Sequence, residues 1–254
     1  MSKIISVISG KGGSGKTFVA SNLAAGFNDS SSKTLLIDCS FGVRNSGFVL
    51  KCGADVLFNL GDVLSGTSSF DEAVIRSAEG FGADFLACSV SESPDMLYDG
   101  LKSLLESLKD VYDYIIIDTP SSAGIEFDVC TALSDVILAV TSPGFASASN
   151  TALALKRINE ISKKEVYTVI NMPYSYESDG YVEDVIDETG YRLIGLFTYD
   201  GKIPINEEQS VLAVFSDTYT SREFKLIVKR LKNEYVHSAK LSLSERLFEK
   251  IKSV

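Results

Sequence analysis

The sequence predicts an α/β fold, a doubly wound and mostly parallel sheet of seven or eight strands flanked by helices. Three observations carry this. Short β-branched runs alternate with helical patterns along the chain, which is how parallel sheets are built through crossover helices. Most of the runs are apolar at every position, so both strand faces need cover. A glycine-rich segment joins the first run to the first helical pattern, at the strand edge where open α/β sheets bind ligands.

In chain order the first strand is KIISVIS (3–9), followed by the glycine-rich turn and a helix over Lys16–Phe27. TLLID (34–38) is the second strand and ADFLACS (83–89) the third, with a helix over Pro94–Lys109 behind it. YIIID (114–118) and VILAV (136–140) follow as strands. The 20 residues from Val136 to Leu155 carry no charge, but Pro143, Gly144 and six Ser, Thr or Asn residues divide them into a strand, a turn and the start of a helix over Phe145–Ile161. That reading is preferred to a membrane span. EVYTVIN (165–171), a helix over Tyr181–Glu188 and LIGLF (193–197) complete the alternation. No repeat, linker or shift in composition marks a boundary before residue 220.

The 254 residues suit one large α/β domain. With 24 basic and 34 acidic residues the net charge is −10, which argues against a surface built to coat nucleic acid. Cys39, Cys52, Cys88 and Cys130 form no CxxC pair, and His237 is the only histidine. Zinc, iron–sulfur and disulfide frameworks therefore find no support, and reduced thiols in a cytoplasm are expected. MSKIISVISGKGG at the amino terminus has no apolar stretch of signal-peptide length.

Gly10-Lys11-Gly12-Gly13-Ser14-Gly15-Lys16-Thr17 fits GxxxxGK[ST] between a strand and a helix, the context a phosphate loop requires. Glycines let successive backbone N–H groups turn inward around phosphates, and the helix N-terminus adds its positive dipole end. Lys16 would reach the β- and γ-phosphates, and the Thr17 hydroxyl would ligate Mg²⁺. ATP and Mg²⁺ are the expected cofactors. Asp38 and Asp118 each end a strand at its carboxyl edge. A carboxylate there can hold a magnesium-bound water or orient a nucleophilic one; the alternative is a cap on the following turn.

Lys11 makes the loop KGGSGKT, which resembles the deviant Walker A of the MinD/ParA family, and the FGVRN that follows the second strand is closer to the MinD branch of that family. LLIDCSFGVRN (35–45), YIIIDTPSS (114–122) and EEQSVLAV (207–214) are similar to that family's second strand and first switch, its Walker B strand and second switch, and a late segment. The resemblance implies an ATPase in which Lys11 crosses a homodimer interface to the partner's nucleotide. Lys11, Lys16, Asp38 and Asp118 become the catalytic set, with Thr17, Asp38 and Asp118 on the metal. The nucleotide would lie against Gly10 through Phe18. Asn171 would lie against adenine, its alternative being a turn-forming residue before Met172-Pro173.

The chain departs from the pattern twice. Members of the family read DxD after the second strand, whereas here Asp38-Cys39-Ser40 puts serine in place of the water-positioning acid, and the next acid is Asp55. A hydroxyl cannot polarise water as a carboxylate does, and losing a positioned base costs about 10²–10⁴ in rate, so slow hydrolysis is expected. Phe18 replaces the loop's usual second threonine, at a position that faces the helix, where it would adjust either packing or the α-phosphate contact.

Residues 222–254 hold nine Lys or Arg against four Glu, leaving −15 for the remainder. In LSLSERLFEKIKSV (241–254), Leu243, Leu247, Phe248, Ile251 and Val254 share an arc of about 140° on a helix. Too short to span a bilayer, the segment could lie in its interface, as the family's terminal anchor does, or dock on the body. The domain reading is an ATPase over 1–236 and an amphipathic membrane-targeting tail over 237–254. The expected function is MinD-like: an ATP-bound dimer, peripheral on the inner face of the cell membrane, recruiting partners of the division-inhibitor or ATPase-activator type for division-site placement. A DNA-segregation or surface-organelle-positioning ATPase, or a nucleotide-gated scaffold, is the alternative; specific DNA binding is not expected.

Overall fold

A computed structural model of the chain describes residues 2–29, 31–40, 56–76, 81–87, 94–121, 124–161, 163–171, 179–197 and 212–234. The strands are β1 (Lys3–Ser9), β2 (Thr34–Asp38), β3 (Asp84–Leu86), β4 (Tyr114–Asp118), β5 (Val136–Thr141), β6 (Glu165–Asn171) and β7 (Arg192–Phe197). The helices are α1 (Lys16–Phe27), α2 (Leu60–Leu64), α3 (Phe70–Ala73), α4 (Pro94–Leu108), α5 (Ile125–Ala132), α6 (Phe145–Ile161), α7 (Asp179–Thr189) and α8 (Tyr219–Leu231), with a 3₁₀ turn at Ala213–Phe215. The described strands form one sheet in the order β3-β2-β4-β1-β5-β6-β7, paired in parallel throughout.

Alternate residues of each strand feed two different cores. Ile5, Val7, Leu36, Ile116, Leu138 and Val140 face α1 and α8. Ile4, Leu35, Ile37, Ile115 and Ile117 face α4 and α5 instead, and Ile8, Ile137 and Ala139 face α5 and α6. This is why the strands read as continuous apolar runs: a parallel sheet covered on both sides leaves no polar face. α1 is buried nearly all round, from Lys16 and Val19 to Ala25 and Phe27, because it lies between the sheet and α8.

α8 is the longest element that the pattern of strands and helices did not yield. The Thr218 hydroxyl caps it by accepting from Ser221 N at 3.2 Å, and Phe224, Ile227, Val228 and Leu231 form its buried stripe. It lies close on β7, since a Cβ at Gly195 would stand 2.3 Å from Ile227 Cδ1. Its carboxyl end is held by cations, as the helix dipole favours. Lys3 Nζ donates to Leu231 O at 3.1 Å, and Lys232 reaches Asp29 at 2.9 Å. Arg230 ties α8 to the sheet by donating to Ile194 O at 2.8 Å. The basic character that begins at residue 222 thus starts inside the body, in a helix fastened by its own charges.

Other differences are small. α5, α2 and α3 were not anticipated, and the described part of the third strand is three residues rather than seven. The 236/237 boundary, His237, and the tail residues Leu243, Leu247, Phe248, Ile251 and Val254 lie outside the described residues. Among the described residues no helix is long and apolar enough to cross a membrane. Phe224 is fully buried between Phe18 and Phe197, so Phe224→Ala should cost about 3–5 kcal/mol of unfolding free energy in a urea titration; a cost below about 1 kcal/mol would mean that α8 is not part of the cooperative body.

Candidate functional site

The strand register assembles the site. β4 lies between β1 and β2, pairing Val7 with Asp118 on one side and Asp38 with Asp118 on the other. Both aspartates come out at the same carboxyl edge, beside the loop that leaves β1. Cys39 N continues the ladder to Asp118 O at 2.9 Å, and the Thr119 hydroxyl donates to Val7 O at 2.8 Å.

The loop from Gly10 to Gly15 is shaped by close approaches. A Cβ at Gly10 would meet the backbone of Asn150 and Thr151 in α6 at 2.3 Å, so only glycine lets the loop pass there. Gly13 and Gly15 have φ of 79° and 87°, the left-handed region that glycine enters without strain. Ser9 Oγ donates to Lys11 O at 3.1 Å and braces the loop's first half. Lys11, Gly12 and Gly13 are exposed at the rim, whereas Ser14 is buried.

These features fit a bound polyphosphate. The first turn of α1 has no side-chain cap, so its leading N–H groups are available to an anion. Ser14 Oγ is buried with no hydrogen-bond partner among the described residues, a group that a ligand oxygen would satisfy. Open space surrounds the place where a Gly13 side chain would be.

Three donors converge on one carboxylate at the base of the loop. Lys16 Nζ is 2.6 Å from Asp118 Oδ1, the Thr17 hydroxyl donates to Asp118 Oδ2 at 2.7 Å, and Ser40 Oγ donates to the same oxygen at 3.4 Å. Asp118 is fully buried and the Lys16 side chain is 8% exposed. Asp38, also buried, joins through its Oδ1, which accepts from Ser40 N at 2.8 Å. Thr17, Asp38 and Asp118 therefore lie together as oxygen donors suited to a hard cation such as Mg²⁺.

The sequence-predicted residues are thus mostly brought together: Lys16, Thr17, Asp38 and Asp118 share one network, with Lys11 exposed on the loop above. Of the two roles open to Phe18, its side chain takes packing. The ring packs edge-on against Phe197 (centroids 6.4 Å) and Phe224 (5.5 Å), so it belongs to the core between α1, β7 and α8, and only its backbone remains available to the loop. Asn171 lies at the end of β6, where its Nδ2 donates to Ser14 O at 3.0 Å. Ser40, read from sequence only as a missing acid, is also a donor to Asp118, and the close fit of Gly10 on α6 carried no sequence signal beyond the glycine itself.

A family model described as an AAA domain matches residues 2–172. The septum site-determining protein MinD of Synechocystis is 29% identical over 241 residues, covering 92% of this chain and 91% of its own. MinD of Helicobacter pylori is 24% identical over 266 residues, covering 100% and 99%. Among solved structures, the MinC:MinD cell division protein complex of Aquifex aeolicus superposes with a TM-score of 0.84 at 22% identity, covering 94% of this chain and 99% of that one. MinD of Pyrococcus horikoshii complexed with Mg-ADP gives 0.79 at 24% identity, covering 91% and 96%. At these identities the structures speak for the fold.

Removing one member of a buried ion pair strands the other's charge, at about 3–5 kcal/mol, whereas removing both leaves little unpaired. Lys16→Met should therefore destabilise the nucleotide-free protein by that amount, and Lys16→Met/Asp118→Asn by clearly less than the two single changes added together. Additive losses in urea unfolding would show that the pair is not coupled.

Proposed function

The chain belongs to the MinD/ParA family of P-loop ATPases, and we propose that within it the protein is a MinD-like switch. It binds Mg-ATP, closes into a dimer around two nucleotides, holds the membrane through its carboxyl-terminal segment and recruits partner proteins for division-site placement. The observation that carries this reading is the convergence of Lys16 and Thr17 on Asp118 beneath a loop that leaves Lys11 exposed. The similarity over nearly full length to septum site-determining proteins supports the positioning role, and the fold shared with a MinC:MinD complex supports a partner of the division-inhibitor type.

Each residue has a task in this reading. Lys16, on the first turn of α1, neutralises the terminal phosphates, and the free N–H groups of that turn cradle them. Thr17, Asp38 and Asp118 would hold the metal. The metal supplies charge neutralisation of the phosphates. Lys11 reaches out of the loop toward the nucleotide of the second subunit. Ser40 stands where relatives carry an acid, and a hydroxyl there can hold water without drawing away its proton, so hydrolysis is slow and the ATP-bound state long-lived.

Membrane attachment then follows from valence. One short amphipathic segment holds a bilayer weakly, while two presented by one dimer bind far more tightly because the second insertion is intramolecular. Leu243, Leu247, Phe248, Ile251 and Val254 would supply the apolar face, and the location would be peripheral on the inner face of the cell membrane.

Two measurements test this. In liposome co-sedimentation the full chain should pellet with ATP and stay in solution with ADP, and Leu247→Glu/Phe248→Glu should abolish pelleting; pelleting indifferent to both nucleotide and tail would refute the anchor, and salt-sensitive retention on DNA in its place would favour the DNA-segregation reading. For catalysis, Ser40→Asp should raise kcat by about 10²-fold or more with little change in ATP affinity, and an unchanged kcat would remove Ser40 as the cause of slow turnover.

A further inference from the structure

The Asn171 side chain is aimed at the phosphate loop from 157 residues away in sequence. Its Nδ2 donates to Ser14 O at 3.0 Å. The same nitrogen would lie 2.1 Å from a Cβ at Gly15, so the amide rests directly on that glycine. Gly15 also has φ of 87°, and so is glycine for two independent reasons. Asn171 itself is well anchored, as the last residue of β6 and paired in register with Phe197 of β7.

We propose that Asn171 is a positioning residue for the phosphate loop, holding the Ser14 carbonyl outward so that the amides of the loop and of the first turn of α1 stay turned toward the phosphates. The physical argument concerns peptide orientation. Ser14 and Gly15 are joined by the peptide whose carbonyl Asn171 holds, and the N–H of that peptide points the opposite way. Fixing the carbonyl therefore fixes the Gly15 N–H immediately before α1, at the place where an anion is bound. Gly15, on the far side of this peptide, sits at positive φ and offers little resistance to a flip. An external hydrogen bond is what removes that freedom, and β6 provides it from a rigid strand end. Preorganised donors cost less ordering when the ligand arrives.

The proposal rests on the loop being a nucleotide site, and it differs from a contact between Asn171 and the base in what the base should matter. The experiment compares Mg-ATP with inorganic tripolyphosphate in Mg²⁺, which has the phosphates and no base, by titration calorimetry on the full chain. Asn171→Ala should weaken both ligands by the same factor, about three- to tenfold for one lost hydrogen bond. Asn171→Leu, of nearly the same shape but uncharged and unable to donate, should weaken both at least as much, which separates donation from packing; thermal unfolding without ligand checks that each variant is folded. If Asn171→Ala weakens ATP but leaves tripolyphosphate unchanged, Asn171 serves the base and the proposal is overturned. If Asn171→Leu binds both ligands as the unaltered chain does, the donated hydrogen bond is not what matters and the proposal also fails. Failure of the unaltered chain to bind either ligand would instead overturn the nucleotide-site reading beneath it.

Discussion

The buried carboxylate of Asp118 is the point on which the site depends. It has no solvent exposure, and an ionised carboxylate in that position is tolerable only if paired and hydrogen-bonded. Lys16, Thr17 and Ser40 meet this need from two different elements. The pairing of β4 between β1 and β2 fixes where the carboxylate emerges, and Lys16 and Thr17 fix where the first turn of α1 must stand above it. The phosphate loop is then the only covalent path between β1 and that turn. Its shape follows from two fixed ends, with Gly10 pressed on α6 and Gly15 under Asn171.

The remainder of the fold can be read as support for those two ends. α1 cannot shift without disturbing α8, because Phe18 of the first is locked against Phe224 of the second and Phe197 of β7. Farther along the same helix, Asn22 Oδ1 accepts from Val214 N at 2.9 Å, joining α1 to the segment that leads into α8. The far end of α8 meets Lys3 and Asp29, at the amino edge of the sheet and opposite the phosphate loop. The described chain therefore ends on the side away from the nucleotide.

Much of this was readable in the sequence because the physics was local. Strands apolar on both faces announced a covered parallel sheet, and Asp38 and Asp118 stood out as acids ending such strands. The loop declared itself through its glycines and Lys16. What escaped depended on contacts distant in sequence. The stripe Phe224-Ile227-Val228-Leu231 behind Thr218 is a helix signal, but in isolation it merges with the basic end of the chain. The direction of the Phe18 ring is set by Phe197 and Phe224, some two hundred residues away, and no property of GKTF reveals it. Asn171 was noticed as a ligand residue, whereas its bond to Ser14 exists only because β6 ends beside the loop.

The pairing at 2.6 Å also constrains how the site can fill. Lys16 cannot serve a phosphate fully while it remains the counter-ion of Asp118, and Asp118 cannot be left alone in a buried setting. In the proposed site the two groups would exchange partners together: Lys16 would turn to the phosphates, and Asp118 would be left to a cation that Thr17 is in place to share. Ser40 changes the balance of that exchange. A hydroxyl adds a donor to Asp118 in the resting site, where an aspartate would add a third carboxylate beside the buried Asp38 and Asp118 and raise the cost of the metal-free state. Ser40 therefore makes the metal-free arrangement the more comfortable one. A chain with this residue has less electrostatic strain to relieve by binding a cation, which is the consequence of one missing charge.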